Sequence, residues 1–129
     1  MNLMPLANRL VAAGVGRPGE SLFIEHMPSS TDRAILLRNP LSGTRIDYEL
    51  PGYYRTEFQL IARCRTYPDG ELLMRQALAA LTLLVETAVE DHLFQFCRPR
   101  TEPVAFPLSQ GNLLEWSVMF DVAFVTPIA

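Results

Sequence analysis

Two stretches of the chain alternate apolar and polar residues with the period of a half-buried strand. From Glu57, the residues Phe58, Leu60, Ala62 and Cys64 are set against Glu57, Gln59, Ile61, Arg63 and Arg65. Over residues 113–125, Trp116, Val118, Phe120, Val122 and Phe124 are set against Glu115, Ser117, Met119, Asp121 and Ala123. Strand side chains point to opposite faces in turn, so each stretch predicts an antiparallel strand with one face on a core and the other in water or against a partner. Between them the period lengthens to that of a helix. Met74, Leu78, Leu81, Val85 and Ala88 make one stripe, and Leu73, Ala77, Ala80 and Leu84 widen it. The broad apolar face predicts one long core helix lying across a sheet. Tyr67-Pro68-Asp69-Gly70 leads into it, with Asp69 as the expected N-cap and Glu71 in the first turn.

Ten prolines punctuate the rest, because proline donates no ladder bond and restricts its predecessor. A first helix is predicted over residues 5–13, opened by Pro5 and stopped by Gly14. Residues 21–27 and 33–38 read as two strands, and the turn chemistry of residues 28–32 predicts a hairpin between them. A short strand follows over residues 92–98. The order is helix, hairpin, long loop, strand, helix, strand, strand, with no βαβ repeat. The expectation is a single α+β domain over residues 1–129, a mainly antiparallel sheet with two helices packed on one face.

The irregular stretch 39–55 changes the picture, because loops of this length in compact domains usually carry function. It holds Tyr48, Tyr53 and Tyr54 with Arg45, Asp47, Glu49 and Arg55. Tyrosine and arginine are the residues enriched where one protein grips another, so this stretch is the leading candidate for a contact surface. The competing reading is that the tyrosines lid the chain's own core. A second candidate is the polar face of the two long strands, where Ile61 and Met119 are expected to be exposed beside Asp121 as a subunit seam.

Composition narrows the chemistry. The 129 residues are 49% hydrophobic and 19% charged, a globular balance. All 11 cations are arginine against 14 acids, for a net charge of −3. The absence of lysine excludes Schiff-base chemistry and the phosphate-loop lysine, and the acidic balance is unlike that of a nucleic-acid binder. Arg98-Pro99-Arg100 with nearby Arg63 and Arg65 is the one candidate local positive patch, and against it Arg63 and Arg65 are expected to pair across the sheet with Glu115 and Asp121. Cys64 and Cys97 sit inside expected strands and read as buried, reduced thiols of a cytosolic compartment. Neither His26 nor His92 has metal spacing, so no cofactor or metal is expected. In Asp91-His92 the side chains are expected on opposite faces of a strand. The glycines from Gly14 to Gly19 have dinucleotide-loop spacing, but a helix precedes and a strand follows, the reverse of what phosphate binding needs. Ser109-Gln110-Gly111-Asn112 reads as a turn, with no strained nucleophile motif. The residues up to Pro5 lack the pattern of a secretory leader, and the apolar stretch 72–89 is interrupted by Arg75, Gln76, Thr82 and Glu86, so neither export nor membrane insertion is expected.

Ile46-Asp47-Tyr48-Glu49-Leu50-Pro51-Gly52-Tyr53-Tyr54-Arg55, running into the strand from Glu57 to Arg65, resembles the tail terminator (tail completion, minor capsid) proteins of long-tailed bacteriophages. The following helix and the closing strand Leu114-Glu115-Trp116-Ser117-Val118-Met119-Phe120-Asp121-Val122 continue the likeness over nearly the whole chain. The resemblance implies a structural protein without catalysis: a hexameric ring on the head-proximal end of the tail tube that stops tube growth and offers a surface to head–tail connector proteins. Phage DNA would pass through its lumen without specific binding. It further implies a place at the head–tail junction of the virion, after assembly in the host cytoplasm. The nearest alternative is a head-side neck connector.

Overall fold

The computed structural model describes residues 1–108 and 112–126. In chain order the elements are α1 (Met4–Ala12), β1 (Leu22–Ile24), β2 (Ala34–Arg38), β3 (Tyr53–Cys64), α2 (Tyr67–Leu81), β4 (Thr87–Val89), β5 (His92–Pro99), β6 (Val104–Pro107) and β7 (Leu114–Val125). The strands form one sheet in the order β1-β2-β3-β7-β5-β4, and β6 pairs with β7 beyond the end of β5. The long strands β3 and β7 are its spine, antiparallel from Tyr53↔Val125 to Cys64↔Leu114. The alternation seen in the sequence is realised on this pair. Phe58, Leu60, Ala62, Cys64, Trp116, Val118, Phe120, Val122 and Phe124 all enter one buried core, together with Leu6 and Leu10 of α1 and Leu73, Met74, Ala77 and Leu81 of α2. Phe58 stacks on Phe120 across the spine, with ring centroids 4.9 Å apart. The fold is therefore α+β and mostly antiparallel.

The expected hairpin is not formed. β1 and β2 pair in parallel, with Leu22↔Ile35 and Ile24↔Leu37 in register. Glu25 turns the chain with φ 69° and donates its N–H to the Leu37 carbonyl (2.8 Å). Residues 25–33 then return across the outer face of the sheet, the face away from the helices' core. Met27 buries there with Ala34, Leu36 and Ile61 in a second small cluster. The Arg63 guanidinium holds the segment down by donating to the carbonyls of Pro28 and Thr31, both at 3.1 Å. A local turn signal is thus overruled by apolar burial and a half-buried cation.

The long helix is shorter than its apolar periodicity suggests. It ends at Leu81, where Thr82 takes an extended conformation and its hydroxyl donates to the Leu78 carbonyl at 2.6 Å. Leu83 then exchanges both backbone bonds with Cys97 (2.6 and 2.9 Å). Pairing with β5 offers this segment backbone partners, and the β-branched Val85, Thr87 and Val89 favour leaving the helix. Val85 and Leu84 consequently lie exposed, and Ala88 belongs to β4. The N-cap of α2 is Thr66, whose side chain accepts from the Asp69 N–H; Asp69, the expected cap, instead lies in the first turn, three residues inside it.

Candidate functional site

The stretch 39–55 divides into a surface loop up to Gly52 and the start of β3. Asn39 anchors the loop, its backbone and side-chain amides both donating to Glu25 Oε1 at 2.9 Å. Asp47 builds the tip: its carboxylate accepts from the Glu49 N–H (2.9 Å), and its carbonyl accepts from the Leu50 N–H (3.2 Å). Gly52, at φ 83°, turns the chain into the sheet, a backbone setting that disfavours any side chain. Between the tip residues Arg45 to Glu49 and the strand residues Tyr53 and Arg55 lies an open cleft of about 490 Å³. Tyr48 stands on its rim at 86% exposure. The structure therefore brings together Arg45, Asp47, Tyr48, Tyr53 and Arg55. Tyr54 points the other way and stacks on Phe124 at 5.3 Å, so it serves the core as the lid reading anticipates.

The outer face of the sheet extends this cleft. By register, Arg55, Ala123 and Phe96 form one row across β3, β7 and β5. A bulge at Gln95 turns Phe96 outward while Phe94 and Cys97 stay in the core. The ring of Phe96 then carries Arg98 at 4.2 Å and Arg55 at 5.7 Å. Sequence periodicity misses Phe96, because without the bulge it would share the inward face of Phe94. In the next row, Glu57 and Asp121 both hold Arg100, with Asp121 Oδ1 at 2.7 Å, and the two carboxylates push the guanidinium's pKa up. Asp121 is thus half-buried in an ion network. Met119 is half-buried, and Ile61, expected to be exposed, is 7% exposed beneath residues 25–33. Of the expected cross-sheet pairs, Arg63–Glu115 forms at 2.9 Å, whereas Arg65 binds Asp32 instead of a sheet carboxylate, at 2.7 Å.

The other candidates resolve as follows. Asp91 lies in the turn before β5, outside the strand, so its carboxylate swings back to lie 2.7 Å from His92 Nδ1. This corrects the opposite-face expectation. A carboxylate only accepts, so Nδ1 carries the proton. The pair borders a hollow of about 410 Å³ shared with Thr44, Tyr54, Phe124 and Thr126. The hydroxyls in this lining are those of Thr44 and Thr126 with the phenol of Tyr54, and Thr44 Oγ1 accepts from the N-terminal amine at 2.8 Å. Cys64 and Cys97 are free and buried. Desolvation pushes their thiols up to about 11 and about 12, which makes them poor nucleophiles. Among the described residues no group of His, Cys, Asp or Glu could hold a metal ion, and no helix is long and apolar enough to cross a membrane. Residues Gly14 to Gly19 do follow a helix and precede a strand. Ser109, Gln110 and Gly111 lie outside the described residues.

The chain has no match among curated protein sequences. Among solved structures it is similar to a chain of the virion of a native gene transfer agent (GTA) particle, with a TM-score of 0.66 at 11% identity, covering 93% of this chain and 91% of that one. At that identity the likeness shows a shared fold. The sequence profile of the bacteriophage tail terminator proteins matches residues 9–126, which takes in the end of α1, the whole of α2, the cleft and all seven strands. A profile that runs through the exposed tyrosine–arginine cleft and spans almost every element shows that this chain belongs to the bacteriophage tail terminator protein family.

Proposed function

We propose that this structural tail protein works as a terminator ring. Six copies, each a single domain over residues 1–129 with both helices packed on one face of its sheet, cap the head-proximal end of the tail tube. The cap covers the surface the next tube ring would need and presents a new one to the head–tail connector proteins. The mechanism is steric, with no bond made or broken. Head-to-tail contacts between identical wedges close when the rotation permits. Such a ring sits at the head–tail junction of the virion after assembly in the host cytoplasm, and phage DNA passes through its lumen without specific contacts.

The observation that carries this reading is the family match over residues 9–126. The cleft supports it by naming a gripping surface: Arg45, Asp47, Tyr48, Tyr53 and Arg55 converge where no core claims them. Asp121 and Met119 on the adjoining outer face extend the contact. Tail length after removal of the gene is the deciding experiment. Overlong tubes support a terminator, whereas normal tails detached from filled heads identify a head-side connector. Tyr48→Ala with Tyr53→Ala leaves the fold intact and weakens capping tens-fold or more, at about 2 kcal/mol for each contact residue. Normal capping by that folded double variant removes the cleft from the interface.

A further inference from the structure

The charges on this molecule are not distributed evenly between partners. Arg17, Arg33, Arg63, Arg65, Arg75 and Arg100 each hold a carboxylate. Arg9, Arg38, Arg45, Arg55 and Arg98 hold none among the described residues, and of these Arg45, Arg55 and Arg98 are exposed while Arg9 and Arg38 are half-buried. The three exposed ones gather around one place: Arg45 and Arg55 line the cleft, and Arg55 and Arg98 flank the ring of Phe96. Asp47 and Glu49 line the same cleft but form no ion pair with these arginines, and exposed Ile46 and Tyr48 add apolar surface beside them. The opposite pattern lies on the edge of the same sheet. The segment leading into and out of β4 exposes Leu84 and Val85, at 74% and 73%, next to Glu86, Glu90 and Asp91. Glu86 has no cation partner among the described residues, and Glu90 meets only the Asn8 amide at 3.1 Å. β4 pairs on one side only, with β5, so its other edge is unpaired among the described residues.

We infer that the Leu84–Asp91 edge of one copy docks against the Arg45–Arg55–Arg98 face of the next. This rests on the ring reading and names its seam. Arg55 and Arg98 at the Phe96 ring, with Arg45 across the cleft, meet Glu86 and Glu90 beside Leu84 and Val85, so the two patches match in both charge and apolar content. Desolvated aromatic and arginine anchors supply the strength, and the charges fix the register. A face and a neighbouring edge of one twisted sheet look out in different directions. Repeated face-to-edge contact therefore turns the assembly as it grows, and it closes into a ring when the rotation permits. Asp47 and Glu49 in the same cleft disfavour a phosphate backbone as the occupant.

The test is a charge exchange read by native mass measurement and sedimentation on the full chain. Arg55→Glu with Arg98→Glu is expected to weaken self-association at least about tenfold, and so is Glu86→Arg with Glu90→Arg. All four changes together are expected to restore it to within a few fold, because the new charges again face each other. Should the reversed variants misfold, Arg55→Gln with Arg98→Gln carries the same expectation of loss. A wild-type chain that associates sixfold, with variants that associate equally well or with no recovery in the combined protein, overturns this seam and leaves the ring intact. A wild-type chain that stays monomeric both alone and on tail tubes overturns both. Loss of salt-sensitive DNA retention in the arginine variants, with assembly unchanged, assigns the face to nucleic acid and overturns the seam.

Discussion

The contact between Gly70 and Trp116 shows how narrowly single residues are set. Gly70 lies in the first turn of α2, where alanine would ordinarily improve the helix by about 1 kcal/mol. Here a Cβ would stand 2.1 Å from Trp116 Nε1 and 2.7 Å from its Cδ1. The indole is held by β7 and flanked by Tyr67 at 4.7 Å, so it cannot withdraw freely. Overpacking of this kind costs about 1–3 kcal/mol and outweighs the helical gain. Gly70→Ala should therefore lower stability in urea unfolding, with a parallel change in tryptophan fluorescence. A stabilised variant would mean that the indole finds another rotamer.

Among the elements, the 25–33 return segment is the most dependent on one side chain. Arg63 and Glu115 have side chains only 13% and 12% exposed, and the same guanidinium also serves two carbonyls of the segment. Removing one member of such a pair strands a poorly solvated charge, at about 3–5 kcal/mol. Arg63→Met should accordingly destabilise the fold by a few kcal/mol and open residues 25–33 to proteolysis. Arg63→Met together with Glu115→Leu should recover much of the loss, since no stranded charge remains. Equal losses in the single and double variants would place the role of Arg63 in the carbonyl contacts alone. The same accounting explains why Ile61 is unavailable as a seam residue: the segment that Arg63 pins is what covers it.

At the scale of the whole molecule, stability should fall at alkaline pH. Burial raises the Cys97 thiol to about 12 and the Cys64 thiol to about 11, above the ordinary value of 9.0. A raised folded pKa means that the folded chain keeps protons the unfolded chain releases. The stabilisation is fully present below pH 9.0 and is lost as pH rises through about 11 to 12. Urea midpoints measured from pH 8 upward should decline beyond about 9, and Cys97→Ala, though less stable at pH 8, should show a shallower decline. Identical slopes would exclude the thiols as the source. Assembly follows a different rule: a seam built on exposed charges weakens as salt screens it, while the core does not.

What the sequence settled alone is what depends on nearest neighbours along the chain. The spine strands β3 and β7, their inward residues from Phe58 to Phe124, the first helix and the tyrosine–arginine loop all follow from local alternation, turn residues and side-chain chemistry. The sequence also carries the family, as a resemblance that the profile match over residues 9–126 shows. What only the tertiary structure decided involves a partner distant in sequence. Leu83 leaves the helix because Cys97 offers both backbone bonds, and β1 runs parallel to β2 because Met27 finds Ile61 and Leu36. Asp91 reaches His92 because the turn precedes the strand, and Phe96 faces outward because a bulge at Gln95 reverses the phase of β5. A period of two or 3.6 tells which residues share a face. It is silent on which face another segment will cover, because that depends on contacts formed only when the whole chain has folded.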